Sequence, residues 1–190
     1  MARPSRRLER RRQICEAFER CLARDGLGGA TVAAVATEAG VAPGLIHHHF
    51  DDRSDLVREL VRELARKFRN ELPDEDDPQL FLDLYVTAAL GRRGARRRQT
   101  ARAWVGIFAE AVRRSDVREL VRRALDAELT RLASIARRAG LSSSEAEQLA
   151  AGVIATIAGA LLFGAIMPTR AQGFAAPWLA SAIRARLDER

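Results

Sequence analysis

The sequence predicts an all-α protein, with an N-terminal head of three helices followed by a larger helical part, about nine helices in total. Two observations support this fold class. Two short helical segments joined by a glycine turn lie between residues 31 and 50. After residue 52 the apolar residues keep the three-to-four spacing of helices, and we find neither the alternation typical of strands nor an internal repeat.

The first helix is predicted from about Arg6 to Arg24 and contains both cysteines of the chain, Cys15 and Cys21. Two residues six apart on one helix point in different directions, because a helix has about 3.6 residues per turn. We therefore expect two reduced thiols rather than a disulfide or a metal site. Without a disulfide framework or a signal peptide, a cytoplasmic location is expected.

The second predicted helix carries apolar residues at Val32, Val35, Ala36 and Ala39. This spacing gathers them on one face of the helix. Gly40 is expected to end the helix, because glycine adopts the left-handed backbone conformation that other residues resist. Two short helices joined by such a turn have the layout of a helix-turn-helix that reads DNA.

The third helix is predicted to begin at Pro43, since proline suits the first turn of a helix, where its missing N–H costs no hydrogen bond. Ile46 and Phe50 are four residues apart and can share the buried face of this helix. That placement turns His47 and His48 outward.

The remaining helices are predicted from apolar spacing and from the turn residues between them. A long linking helix begins at Asp52 or Ser54 and ends near Leu72, before the acidic loop 73–78. The others lie near residues 79–91, 100–114, 116–139, 143–167 and 174–188. Ser142 to Glu145 has the pattern of a capping box.

An uncharged run of apolar and small residues covers 150–167 and is long enough to cross a membrane. Alanine and glycine make up half of it and are poor membrane anchors, so we expect no membrane association. Small residues recur every four positions and form a smooth strip, which allows another helix to approach closely. The strip consists of Gly152, Thr156, Ala160 and Gly164. A dimer interface is the favoured interpretation, with an internal core or a membrane span as alternatives.

The segment Gly40-Val-Ala-Pro-Gly-Leu-Ile-His-His-His-Phe50 resembles the recognition helix of the tetracycline-repressor (TetR) family of bacterial transcriptional regulators, which commonly reads Gly-Val-Ser-x-Gly-Thr-Leu-Tyr-x-His-Phe. Roughly residues 5–68 carry the resemblance. It implies a DNA-binding helix-turn-helix domain over 1–52 and a ligand-binding and dimerisation domain over 53–190. It also implies a homodimer on a palindromic operator of double-stranded DNA, most often a repressor released by a small-molecule effector.

The resemblance also implies DNA contacts at the positions that match the family's motif. Thr31 occupies the place of a phosphate-binding hydroxyl, His47 that of a tyrosine, and Arg53 that of a phosphate-binding lysine. Leu45 replaces the usual threonine and can touch only a thymine methyl, while Ala42 replaces a serine and removes an N-cap. The predicted DNA-binding set is Thr31, Pro43, Gly44, Leu45, His47, His48, His49, Arg53, Arg6 and Arg7.

The chain carries a formal net charge of +7, and all but one of its 32 basic residues are arginine. An arginine fork suits phosphate oxygens, although a genome-wide preference for arginine explains the bias equally well. By resemblance, the N-terminal arginines lie against the DNA backbone and attract it without reading sequence. They are Arg3, Arg6, Arg7, Arg10, Arg11 and Arg12. A second run, Arg92, Arg93, Arg96, Arg97 and Arg98, is expected to be a solvated loop that contributes steering.

By the same resemblance, the C-terminal helices enclose an effector pocket, and the last two pack with their copies into a four-helix bundle. The candidate ligand-binding residues are Phe81, Tyr85, Trp104, Phe108 and Phe163, each of which can instead be plain core. The candidate dimer residues are Gly152, Thr156, Ala160, Gly164 and Trp178. Few charges lie on these apolar faces, which favours an apolar or amphipathic effector. The segment 103–110 resembles the choline-responsive subgroup of the family.

Three successive histidines, at 47–49, raise the alternative of a metal-responsive regulator. Neighbouring helix residues are rotated by about 100° from one another, so the three rings cannot share one ion. No phosphate loop, nucleophile elbow or paired carboxylates indicate an enzyme, and we expect neither a metal nor a cofactor. An all-helical interaction protein that does not bind DNA is the other alternative.

Overall fold

The computed structural model describes residues 6–72, 74–90, 95–167 and 175–188. Within these ranges the regular structure is entirely α-helical, which confirms the predicted fold class. The helices are α1 (Arg6–Gly29), α2 (Val32–Ala39), α3 (Pro43–His49), α4 (Arg53–Glu71), α5 (Pro78–Leu90), α6 (Ala95–Arg113), α7 (Ser115–Arg138), α8 (Ser143–Ile166) and α9 (Ala175–Asp188).

The chain forms two compact units. The first, which we call the head unit, contains residues 1–64 and 99–121, and the second contains residues 65–98 and 122–190. The division therefore falls within α4, α6 and α7 rather than at residue 52. The predicted boundary between residues 52 and 53 lies between a DNA-binding domain and a ligand-binding domain, not between two packing units. It stays a prediction.

The helix ends in the head unit follow from a few residues with special backbone roles. The Thr31 hydroxyl accepts a hydrogen bond from the amide of Ala34 at 3.1 Å and caps α2. Gly40 ends α2 in the left-handed conformation, with φ of 65°. Pro43 opens α3, and Ala42 before it provides no side-chain cap, as the sequence indicates. Gly26, with φ of 67°, interrupts α1 near the predicted end of that helix.

The core of the head unit is made by one face from each helix of the helix-turn-helix. Ile46 and Phe50 are buried below the outer surface of α3, as the sequence predicts. The buried α1 and α2 residues that share this core are Ile14, Ala17, Phe18, Cys21, Leu22, Val35, Ala36 and Ala39. Each fully buried side chain of leucine, isoleucine or phenylalanine size contributes about 1.5–3 kcal/mol to folding.

Polar contacts of α1 hold α2 and α6 in the head unit. Gln13 donates to the carbonyl of Ala39 at 2.7 Å, and Arg20 pairs with Glu38 at 2.7 Å. On α6, the Thr100 hydroxyl donates to the buried carboxylate of Glu19 at 2.8 Å. These contacts fix the packing of α2 and α6 on α1.

The second unit has its own apolar core, built from α5, α7, α8 and α9. Its buried residues include Phe81, Leu82, Tyr85, Val86, Leu132, Ala136, Val153, Leu179, Ile183 and Leu187. Ser142 and Glu145 form the predicted capping box at the start of α8. Arg184 of α9 pairs with Asp83 of α5 at 2.9 Å.

One predicted boundary was wrong. Residues 95–98 belong to α6, which begins at Ala95 rather than near residue 100. Alanine and arginine both have high helix propensity, so this part of the arginine run extends the helix instead of forming a loop. Residues 91–94, which include Arg92 and Arg93, lie outside the described residues.

Gly40→Ala should lower the free energy of unfolding of the head unit by about 1 kcal/mol, because a Cβ is strained at positive φ. Urea unfolding followed by Trp104 fluorescence measures this in a Trp178→Phe background, since Trp104 lies in the head unit. Gly44→Ala is the control, because Gly44 is helical and a Cβ there meets nothing within 4 Å. Equal losses for the two variants would contradict the assignment.

Candidate nucleic-acid interface

The outward face of α3 is the surface best suited to meet a duplex, and we call it the reading face. Pro43, Gly44, His47 and His48 are exposed on this short helix, while Leu45 is half-buried. A Cβ added at Gly44 would meet nothing within 4 Å, so the backbone there is open to close approach. The structure therefore brings together five of the predicted DNA-binding residues.

His49 occupies a different environment from its two neighbours. Its ring is only 9% exposed and lies edge-on to that of His48, with centroids 5.3 Å apart. Its Nδ1 is buried and has no hydrogen-bond partner among the described residues. Burial first, and then the positive charges of His48, Arg7, Arg11 and Arg10, lower the pKa of His49. His49 is therefore a buried residue of the head unit, and its predicted DNA contact stays a prediction.

Arg53, the first residue of α4, is only partly exposed. Its Nε and Nη2 are buried and have no hydrogen-bond partner within the described part of the chain. The neighbouring Asp52 accepts from the amide of Asp55 at 2.7 Å. A partly exposed arginine side chain can still pair with phosphate oxygens.

Two further features supply positive potential near the head surface. Thr31 is exposed at the N-terminus of α2, where amides and the helix dipole favour an anion. Arg6 and Arg7 are exposed at the start of α1. Arg3 lies outside the described residues.

Sequence reasoning missed the role of Arg11, which it grouped with the phosphate-attracting arginines. Its guanidinium donates to the carbonyl of His49 and, at 3.0 Å, to the carboxylate of Glu59. These partners are 38 and 48 residues away along the chain. Local spacing gives no signal for contacts at such separations.

The candidate ligand-binding residues are divided between the two units. Trp104 and Phe108 of α6 stack with centroids 5.4 Å apart in the head unit. Phe81 and Tyr85 are buried in the core of the second unit, with centroids 6.2 Å apart. Phe163 is 55% exposed on α8.

The candidate dimer residues lie on poorly covered helices of the second unit. Gly152 is exposed, Thr156, Ala160 and Gly164 are half-buried, and Trp178 of α9 is 65% exposed. Only 11% of the most apolar 18-residue stretch of α8 is buried. By length and composition alone, α8 is the one described helix that could cross a membrane, and a single such helix is weak evidence for a span.

Among the described residues, no group of three or more histidine, cysteine, aspartate or glutamate side chains is arranged to hold a metal ion. Cys15 and Cys21 are both buried. Burial raises the pKa of the Cys21 thiol, which disfavours the reactive thiolate.

Comparisons with known proteins agree with this geometry. Residues 14–60 match the family model described as bacterial regulatory proteins, tetR family. The HTH-type transcriptional regulator BetI of Brucella canis is 31% identical over 117 residues, which cover 60% of this chain and 59% of that protein. Its counterpart in Vibrio vulnificus is 27% identical over 169 residues, covering 84% and 82%. The chain thus spans about three fifths of the length of the Brucella relative.

Solved structures share the fold over nearly the whole chain. A transcriptional regulator from Rhodococcus sp. Rha1 has a TM-score of 0.77 at 25% identity and covers 94% of each chain. A regulator from Saccharomonospora viridis, solved in complex with choline, has a TM-score of 0.75 at 22% identity over 95% and 96%. These similarities extend the agreement beyond residues 14–60 to both units.

The buried ring of His49 should make the stability of the head unit depend on pH. Its folded-state pKa lies below the usual value, so the unfolded chain takes up the proton first as the pH falls. The stability contributed by neutral His49 is complete above about pH 6.5 and is lost as the pH falls below it.

Urea unfolding at about pH 7.5 and about pH 5 measures this contribution. His49→Gln should lose less stability in acid than the wild type, whereas His47→Gln, at an exposed position, should keep the wild-type dependence. An acid loss in His49→Gln as large as that of the wild type would contradict the assignment.

Proposed function

We propose that this chain, which belongs to the TetR family of bacterial regulatory proteins, is a cytoplasmic DNA-binding transcriptional regulator. The observation that carries the proposal is the reading face of α3. Its histidines are exposed, and the opposite face of the helix is held in the core by the buried Ile46 and Phe50. The match of residues 14–60 to the family model supports it.

The reading face enters the major groove, which is wide enough for an α-helix. His47 and His48 offer ring nitrogens to base edges and phosphates, and Leu45 offers an apolar contact to a thymine methyl. The open backbone at Gly44 lets the helix tip approach the bases closely. The DNA sequence is therefore read through few hydrogen bonds, and contacts to the DNA backbone supply most of the affinity.

Phosphate contacts come from residues on three different helices. Thr31 presents the N-terminus of α2, Arg53 presents a partly exposed arginine side chain, and Arg6 and Arg7 add exposed charge. Neutralising phosphates releases counterions, so binding weakens steeply with salt. These contacts position the head without selecting the sequence.

The exposed apolar surfaces of α8 and α9 support a homodimer. The open sides of Gly152 and Gly164, where a Cβ would meet nothing within 4 Å, allow close approach of a second copy. Trp178 supplies a large apolar side chain on the neighbouring helix. A two-fold pair of heads reads successive major-groove faces of a palindromic operator, roughly 34–36 Å apart.

A small-molecule effector then regulates this dimer. The solved neighbour from Saccharomonospora viridis is described in complex with choline, which supports a small ligand for the present chain. Few charged residues lie on the apolar faces of the C-terminal helices, which favours an apolar or amphipathic compound. A ligand that binds best to the dimer with one spacing between its two heads shifts the population toward that state. Because that state releases the operator DNA, the protein acts as a repressor.

Duplexes selected from a randomised library should bind with steep salt dependence in a fluorescence anisotropy titration. His47→Ala combined with Arg53→Ala should lose about tenfold or more in affinity, and Arg53→Ala alone should reduce the salt slope by about one. Arg137→Ala, at an exposed position of α7 in the second unit, is the charge-matched control and should bind as the wild type. Salt-insensitive binding, or none to any duplex, would favour a helical interaction protein.

Thr156→Arg should convert the dimer to a monomer, because it buries a charge at the apolar contact. Light scattering after gel filtration measures the mass, and circular dichroism checks that the helices remain. Ser144→Arg adds the same charge at an exposed position in the first turn of α8 and should stay dimeric. A monomeric wild type, or a dimeric Thr156→Arg variant, would overturn the proposed interface.

A further inference from the structure

Arg11 contacts three residues, two at the end of α3 and one on α4. Its Nη1 donates to the carbonyl oxygen of His49, the last residue of that helix. Its Nη2 donates to the Glu59 carboxylate of α4 at 3.0 Å. Its guanidinium carbon lies 4.2 Å from the ring centroid of Phe50. The side chain is only 20% exposed, so its charge is directed inward rather than toward a duplex.

These contacts lie at the C-terminal end of α3. The last carbonyls of any helix lack intrahelical partners, and a cation there also interacts favourably with the helix dipole. α3 has only seven residues and no side-chain cap at Ala42. A helix this short has little stability of its own, so outside contacts determine its direction.

Glu59 restrains the same guanidinium from the other side. It accepts one arm of the Arg11 fork while the other arm reaches the α3 carbonyl. The fork of arginine suits this double contact, which a lysine ammonium cannot reproduce in the same plane. α1, the end of α3 and α4 are therefore joined through one side chain.

We propose that Arg11 is a positioning residue for DNA reading, with Glu59 as its anchor: it fixes the direction of α3 and contributes to binding through that helix rather than through phosphate. This inference rests on the proposed DNA-binding function. It assigns to Arg11 a role that differs from those of the exposed arginines beside it.

Removal of the Glu59 carboxylate distinguishes the positioning role of Arg11 from a purely electrostatic effect on DNA binding. Loss of a negative side chain strengthens DNA binding if only electrostatics matters, because the net positive charge increases. Loss of the anchor for Arg11 weakens binding to the selected duplex, because α3 is no longer held in one direction. The two effects have opposite signs for the selected duplex.

The test compares wild type, Arg11→Gln, Arg11→Lys, Glu59→Ala and the double variant Arg11→Gln/Glu59→Ala by anisotropy, on a selected duplex and on a scrambled one. Each single variant should lose about tenfold in affinity for the selected duplex. The double variant should lose little more affinity than either single variant. On the scrambled duplex, Glu59→Ala should bind as well as the wild type or better. Arg12→Gln, at an exposed neighbouring position, should weaken both duplexes equally.

A second measurement is independent of DNA. Hydrogen exchange at the amides of residues 46–50 should accelerate several-fold in Glu59→Ala and Arg11→Gln, while amides in α2 keep their wild-type rates. A wild type that binds no duplex, with accelerated exchange in the variants, would refute the proposed function and leave the positioning contact standing.

Tighter binding of Glu59→Ala to the selected duplex would overturn the proposal, and so would unchanged exchange at residues 46–50. If an Arg11 variant fails to fold, Glu59→Ala alone still distinguishes the two signs. Circular dichroism confirms the helical content of each variant before it is titrated.

Discussion

The burial of Ile46 and Phe50 is the constraint on which the rest of this head depends. A seven-residue helix does not persist in water by itself, because the nucleation of a helix costs more than so few hydrogen bonds return. α3 exists because these two side chains, 1% and 2% exposed, are held in the core made by α1 and α2. Their spacing of four residues determines which side chains remain outside.

The consequences for function follow from that geometry. With one face buried, His47, His48 and the open backbone of Gly44 must face solvent together. The left-handed turn at Gly40 determines where α3 begins relative to α2, and Arg11 holds the other end. The reading face is thus preorganised before any duplex arrives, which reduces the entropy lost on binding.

Many helix ends could be predicted from the sequence because their signals are local. The end of α2 at Gly40, the start of α3 at Pro43 and the capping box of α8 each depend on residues within a few positions of one another. The inward role of Arg11 and the burial of His49 could not be predicted, since both depend on packing between segments far apart in the chain. The early start of α6 was missed for another reason, namely that an arginine run has the composition of a solvated loop and the propensity of a helix.

Chemical protection of the bound duplex shows whether α3 lies in the major groove. Dimethyl sulfate methylates guanine N7 in the major groove and adenine N3 in the minor groove, so it reports which groove α3 occupies. If α3 lies in the major groove of each half-site, guanine N7 atoms are protected in two patches, centred about 10–10.5 base pairs apart or a multiple of that distance. A bound duplex whose guanine N7 atoms stay reactive, with protection confined to adenine N3, would refute major-groove reading by α3.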